Sequence, residues 1–231
     1  MEKEELLELY EATGDEDAFV EAKRLYEQAL AEGADAQLLV RYGHLLQCHG
    51  SVSLRQAVAQ YERAIELDPS ADKAHYQLIG TRAMLQEPER AIDLYKKRLA
   101  AAPTEVREYR FLAHAYLAGH EYDEARAVAE TGLELFPDDP MLIECRGTVR
   151  AGTGDPEGAL ADWRRALELN PENLSPVYSS AFLLEREGRL QEAVDAWRFI
   201  IEWCDARGWE LTARWPKSEF TRLQGQLPGG A

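Results

Sequence analysis

The chain has 231 residues, 45% of them apolar or aromatic and 29% charged, so it can bury a sizeable core and lies far from the composition of disordered chains. Forty-two carboxylates against 26 lysines and arginines give a net charge of −16, which excludes the basic face that nucleic acid or an anionic membrane surface requires. Three widely spaced cysteines (Cys48, Cys145 and Cys204) with no C-x-x-C pair predict free thiols in a reducing compartment.

The acid is concentrated at the start, where residues 1–32 hold eleven Asp and Glu but three Lys and Arg. The opening MEKEELLELY lacks the basic region and apolar core of a secretion signal. No apolar run reaches the roughly 18 residues of a membrane span, and a cytoplasmic location is expected. From the second predicted helix onward the chain keeps a period. Ala22, Tyr26 and Ala29 are echoed by Ala57, Tyr61 and Ala64, and the alanine then returns every 34 residues at Ala91, Ala125, Ala159 and Ala193. Four residues after these come Tyr95, Ala129, Trp163 and Trp197, and seven after come Arg98, Gly132, Ala166 and Ile200. Positions i, i+4 and i+7 share one helix face, so a small residue admits a neighbouring helix and the aromatic fills the groove beside it.

Four units close on Pro69, Pro103, Pro137 and Pro171. Each proline is expected to stop one helix and open the next within its first turn. A second amphipathic segment precedes each alanine. In the last unit one helix is predicted to about Glu187, a break at Gly188 and another helix from about Gln191. The stretch GTGDPEG repeats this break, with Gly154 in the turn and Pro156 at a helix start. Beyond residue 205, WELTARWPKSEF places Trp209, Trp215 and Phe220 near a short helix predicted to start at Pro216. This segment suits a cap over the last apolar face, and the tail QLPGGA is expected to fray.

These residues resemble the tetratricopeptide repeat family, whose pattern puts Leu-Gly in the first helix, Ala and an aromatic in the second, and Pro at the end. The pair reads Tyr42-Gly43, Leu78-Ile79, Leu112-Ala113, Arg146-Gly147 and Ser180-Ala181 here. The resemblance implies an all-α fold, a right-handed α-solenoid of six helix–turn–helix units with a C-terminal capping helix. The expected units are 1–35 (divergent), 36–71, 72–105, 106–139, 140–173 and 174–205, with a cap and tail over 206–231. Extra residues around GSVSL and GDEDAF read as loop insertions.

Chemistry is sparse. No phosphate loop, H-E-x-x-H or G-x-S-x-G occurs in the sequence, so the motifs of nucleotide binding, zinc proteolysis and serine hydrolysis are missing. His44 and Cys48 share a helix face in His44-x-x-x-Cys48-His49 and both types ligate zinc, but a structural site wants four ligands. No metal, cofactor or catalytic residue is assigned; an enzyme using His44 or His114 as an acid–base group would lack a nucleophile–base pair. Arg146 and Arg150 stand where other units are apolar, and their stems are expected to pack while their heads reach acids. Asp138 and Asp139 sit where helix-capping acids belong.

The resemblance further implies that first helices line a concave face. Projected onto this chain, that face holds His44, then Lys73 and Tyr76, then Arg107, Arg110 and His114, and finally Tyr178 and Phe182. Its middle is basic within an acidic protein, and its aromatics add contact area at low conformational cost. The expected function is a non-catalytic protein–protein interaction module (scaffold, adaptor or cargo chaperone) that binds a peptide or protein segment carrying acidic residues or a free carboxylate. The alternative is a small-ligand or signal-peptide sensor using the same groove. Relatives that grip chaperone tails use Lys and Asn side chains. Only Asn170 and Asn173 occur here, both beside a turn, and Lys73 alone matches, which disfavours that role. No nucleic-acid or membrane partner is expected. The protein is expected to be a monomer, or a weak homo-oligomer through Trp203, Trp209 and Trp215.

Overall fold

A computed structural model describes residues 2–49 and 51–227. Among them the regular structure is entirely helical, and the chain divides into two compact units, up to His120 and from Glu121. Of the predicted tail, 228–231 lie outside the described residues, as does Gly50 of GSVSL.

The first unit runs α1 (Lys3–Thr13), α2 (Glu16–Glu32), α3 (Ala36–Cys48), α4 (Ser51–Leu67), α5 (Asp72–Met84), α6 (Pro88–Ala101) and α7 (Val106–Ala118). Successive helices pack on one another, and α5 also touches both α3 and α7. The second unit runs α8 (Tyr122–Leu135), α9 (Pro140–Gly152), α10 (Pro156–Leu169), α11 (Ser175–Arg186), α12 (Leu190–Asp205) and α13 (Glu210–Gln224). Again each helix packs on the next, and α9 touches α11. Each unit is thus a solenoid stack in which tight turns reverse the chain between neighbouring helices.

The periodic residues build the core. Every member of the alanine column is buried, as are Tyr26, Tyr61, Tyr95, Trp163 and Trp197 four residues on. The aromatics fit because the first helix is small where they lean on it. A Cβ added to Gly43 would stand 2.6 Å from the Tyr61 ring, and one added to Gly147 would stand 2.8 Å from the Trp163 ring. Burying each such ring contributes on the order of 1.5–3 kcal/mol.

The prolines do something different from the expectation. Each occupies the second position of a β-turn: the amides of Ala71, Glu105, Asp139 and Asn173 donate to the carbonyls of Asp68, Ala102, Phe136 and Asn170 at 3.1–3.2 Å. Proline fits there because its φ is already set for that position. The next helix begins three or four residues later, so these prolines terminate helices without entering the next one. Prolines that do stand in a first helical turn are Pro88, Pro140, Pro156 and Pro176. Two of the turn carbonyls are also tied down from the helix that follows. His75 Nε2 lies 3.1 Å from the Pro69 carbonyl, and Tyr109 Oη donates to the Pro103 carbonyl at 2.9 Å.

Two further expectations are corrected. The extra residues of the first two repeats do not lengthen loops. They extend the second helices, so α2 and α4 have 17 residues where α6, α8 and α10 have 14. The terminal helix starts at Glu210, with Pro216 in its interior. The ring costs a backbone hydrogen bond there, but Pro216 lies on the same buried face as Ala213 and Leu223. Those two residues complete the core of α11 and α12, and this packing outweighs the local penalty.

Candidate binding face

In the first unit the candidate residues sit on three first helices, α3, α5 and α7. Lys73 and Tyr76 are three apart on α5, and Arg107, Arg110 and His114 are three and four apart on α7, so each set shares a helix face. The stacking of α5 on α7 brings Tyr76 and His114 into edge-to-face contact, with ring centres 4.9 Å apart. Phe111, buried behind them, meets the Tyr76 ring at 5.2 Å. Lys73 is exposed, while Arg107 and Arg110 are half-buried.

The basic character of this face is partly compensated. Asp72 lies 3.8 Å from the Arg107 guanidinium, and the field of Lys73 acts on Glu11, lowering its pKa together with the stronger hydrogen bond from His44. His44 on α3 faces α1, its Nε2 2.7 Å from Glu11 Oε1. Beside Lys73, the starts of α3 and α5 border an open hollow of about 840 Å³ whose lining includes Asp35, Val40, Arg41, Asp68 and Asp72. It can admit side chains of a bound segment, with both signs of charge at its rim.

Desolvation pushes the His114 pKa down to about 4 from the ordinary value near 6.5. The unfolded chain therefore takes up this proton near pH 6.5 and the folded chain only near 4, so this group destabilises the fold as pH falls through that interval. Burial lowers the pKa of His75 as well, in the same direction. In an NMR titration the His114 ring should remain neutral in the folded protein at about pH 5. A midpoint near 6.5 would show that the ring is solvated and not packed on Tyr76.

The second unit carries Tyr178 and Phe182 on α11. Both rings meet Trp215 of α13 at 5.8 Å, and behind them Trp197 lies 5.7 and 5.4 Å away. Phe182 and Trp215 are 47% and 48% exposed, so together they form an aromatic surface. Trp203 and Trp209 form a separate edge-to-face pair. Sequence reasoning assigned Trp215 to the cap and missed its place beside Tyr178, because α13 carries no repeat signature from which its facing could be projected.

Other polar groups are structural. Asp162, buried under α9, accepts two hydrogen bonds from Arg146 at 2.7 and 2.9 Å and pairs with Arg150 at 2.9 Å, as expected of heads that reach an acid. Asp139 accepts from the Leu142 amide and caps α9, whereas Asp138 pairs with Arg165. Glu144 is buried, which raises its pKa although Ser175 and Asn173 donate to it.

Sequence patterns of the tetratricopeptide repeat match residues 85–142 in one form and residues 53–106 and 146–197 in another. A tetratricopeptide repeat and J domain-containing co-chaperone of Fusarium oxysporum is 30% identical over 128 residues, 52% of this chain and 25% of that protein. The type IV pilus assembly protein PilF of Pseudomonas aeruginosa is 27% identical over 158 residues, 68% of this chain and 61% of that protein. The chain thus spans less than two thirds of either relative. Among solved structures, a thermophilic tetratricopeptide repeat protein of Thermus thermophilus superposes with a TM-score of 0.60 at 23% identity, over 81% of this chain and 98% of that one.

Proposed function

The chain belongs to the tetratricopeptide repeat family, and from that premise we propose that it is a non-catalytic interaction module whose first-helix face on α3, α5 and α7 binds a segment of a protein partner. The family generally mediates protein–protein contact and is generally non-catalytic. None of the described helices is long and apolar enough to cross a membrane, and the reading places the protein in the cytoplasm.

The observation that carries the proposal is the stacking of α5 on α7, which brings the Tyr76 and His114 rings together on the two helices that also carry Lys73, Arg107 and Arg110. Guanidinium groups recognise carboxylates through paired, charge-assisted hydrogen bonds. The bound segment is therefore acidic or ends in a free carboxylate. Tyr178 and Phe182 give the second unit an aromatic contact of its own.

The test is affinity capture from native lysate, comparing wild type with an Arg107→Glu/Arg110→Glu variant shown to be folded by circular dichroism. Each lost charged hydrogen bond costs about 1.5–3 kcal/mol, or about ten- to a hundredfold in affinity. A partner retained by wild type should vanish from the variant, and its binding should weaken as salt rises. Identical sets of retained proteins would refute the reading.

A further inference from the structure

We propose that Glu11, His44 and Cys48 form a binding site for a zinc-class divalent cation at the junction of α1 and α3. The site shares His44 with the binding face argued above, but it rests on the donor geometry alone and its test does not involve a protein partner. His44 and Cys48 are one helical turn apart on α3, and Glu11 approaches from the last turns of α1. Glu11 Oε1 lies 2.7 Å from His44 Nε2, and Cys48 Sγ lies 3.7 Å from Glu11 Oε1 and 4.0 Å from His44 Nε2. All three donors fall within 4.8 Å of one another.

These separations suit tetrahedral coordination after small adjustments. With zinc–ligand distances of about 2.0–2.3 Å, donor–donor edges are roughly 3.3–3.6 Å. The two sulfur edges must close by a few tenths of an ångström. The Glu11–His44 edge must open by about 0.6 Å as the cation enters between the two groups. Cys48 and Glu11 are exposed, so side-chain rotation supplies these adjustments without moving the helices.

The donor set also selects the ion. One sulfur, one imidazole nitrogen and one carboxylate oxygen suit a borderline-soft cation, whereas magnesium and calcium want oxygen alone. Three protein ligands leave a fourth position for water or an incoming donor. Cysteine, histidine and glutamate ligate a cation in their deprotonated forms, so affinity is expected to rise with pH. The Lys73 ammonium, whose field reaches Glu11, opposes a second cation; Lys73→Met should tighten binding.

Cobalt(II) is the probe, titrated into the full chain under a non-chelating phosphine reductant. Wild type should bind one equivalent with a thiolate-to-cobalt charge-transfer band, and zinc should displace it. Cys48→Ser should abolish that band, and Glu11→Gln, on the other helix, should weaken binding at least tenfold while leaving the circular dichroism spectrum unchanged. Should Cys48→Ser fail to fold, the Glu11→Gln titration decides the matter alone. No charge-transfer band in wild type, or the same affinity in Glu11→Gln, would overturn the proposal.

Discussion

Replacing Trp197 with alanine is expected to destabilise the second unit by about 3–5 kcal/mol, the cost of deleting a large side chain from a packed core. Trp197 is fully buried and is surrounded by Tyr178, Phe182 and Trp215. These come from α11 and α13, so the cavity would loosen both neighbours of α12 together. Repeat arrays are stabilised by contacts between adjacent elements, and the loss should therefore be regional. Hydrogen exchange should accelerate over α11–α13 more than over α3–α5. Trp197→Phe should cost clearly less. It retains most of the ring volume and also removes an indole N–H that is buried without a hydrogen-bond partner, itself a penalty of about 1–3 kcal/mol. A loss below about 1 kcal/mol for the alanine variant, with uniform exchange, would contradict this account of the core.

Gly43→Val and Gly80→Ala should move stability in opposite directions although both glycines lie inside first helices. At Gly43 a Cβ would stand 2.6 Å from the Tyr61 ring, and Tyr61 is fully buried and cannot swing away. Overpacking of this kind costs about 1–3 kcal/mol, and valine's branched Cβ puts it at the upper end. At Gly80 an added Cβ meets nothing within 4 Å. There the helix-propensity gain of about 1 kcal/mol for alanine over glycine acts unopposed. Urea denaturation of the two variants separates close approach from mere helix permissiveness. Equal losses at both positions would refute the packing argument.

What the sequence made legible was whatever recurs with the period. The alanine and aromatic columns specify small-against-large contacts, and the burial of Ala57, Tyr61, Ala159 and Trp163 follows from spacing alone. The turns were half legible. Backbone with positive φ recurs at Gln86, His120, Gly154 and Gly188, 34 residues apart, but the glycines alone drew notice because glycine alone advertises a left-handed conformation. The role of the prolines was misjudged because proline suits both a first helical turn and the second position of a β-turn. Carbonyl partners such as that of His75 are invisible until the chain is folded. Pro216 was misread because local propensity stops a helix where burial of Ala213 and Leu223 continues it.

The candidate face was projected from the repeat phase, which reaches only residues inside repeats. It put Tyr76 and His114 on first helices, and the rings of these two residues meet. It missed Trp215 on α13, and it missed Glu11, whose helix α1 precedes the first alanine of the series. Charge balance was also beyond it: Asp72 lies 3.8 Å from the Arg107 guanidinium and Glu11 lies within the field of Lys73, and periodicity says nothing about which acid stands near a flexible cation.

The most direct measurement is site-specific photo-crosslinking in native lysate. A photoreactive amino acid is placed at Tyr76 or Arg110 on the first helices, or at Val20 or Leu94, exposed on second helices α2 and α6. Adducts to one protein partner from Tyr76 and Arg110, and none from Val20 and Leu94, are the predicted result. Adducts confined to Val20 and Leu94 would move the interaction to the second helices and contradict the assignment of the binding face.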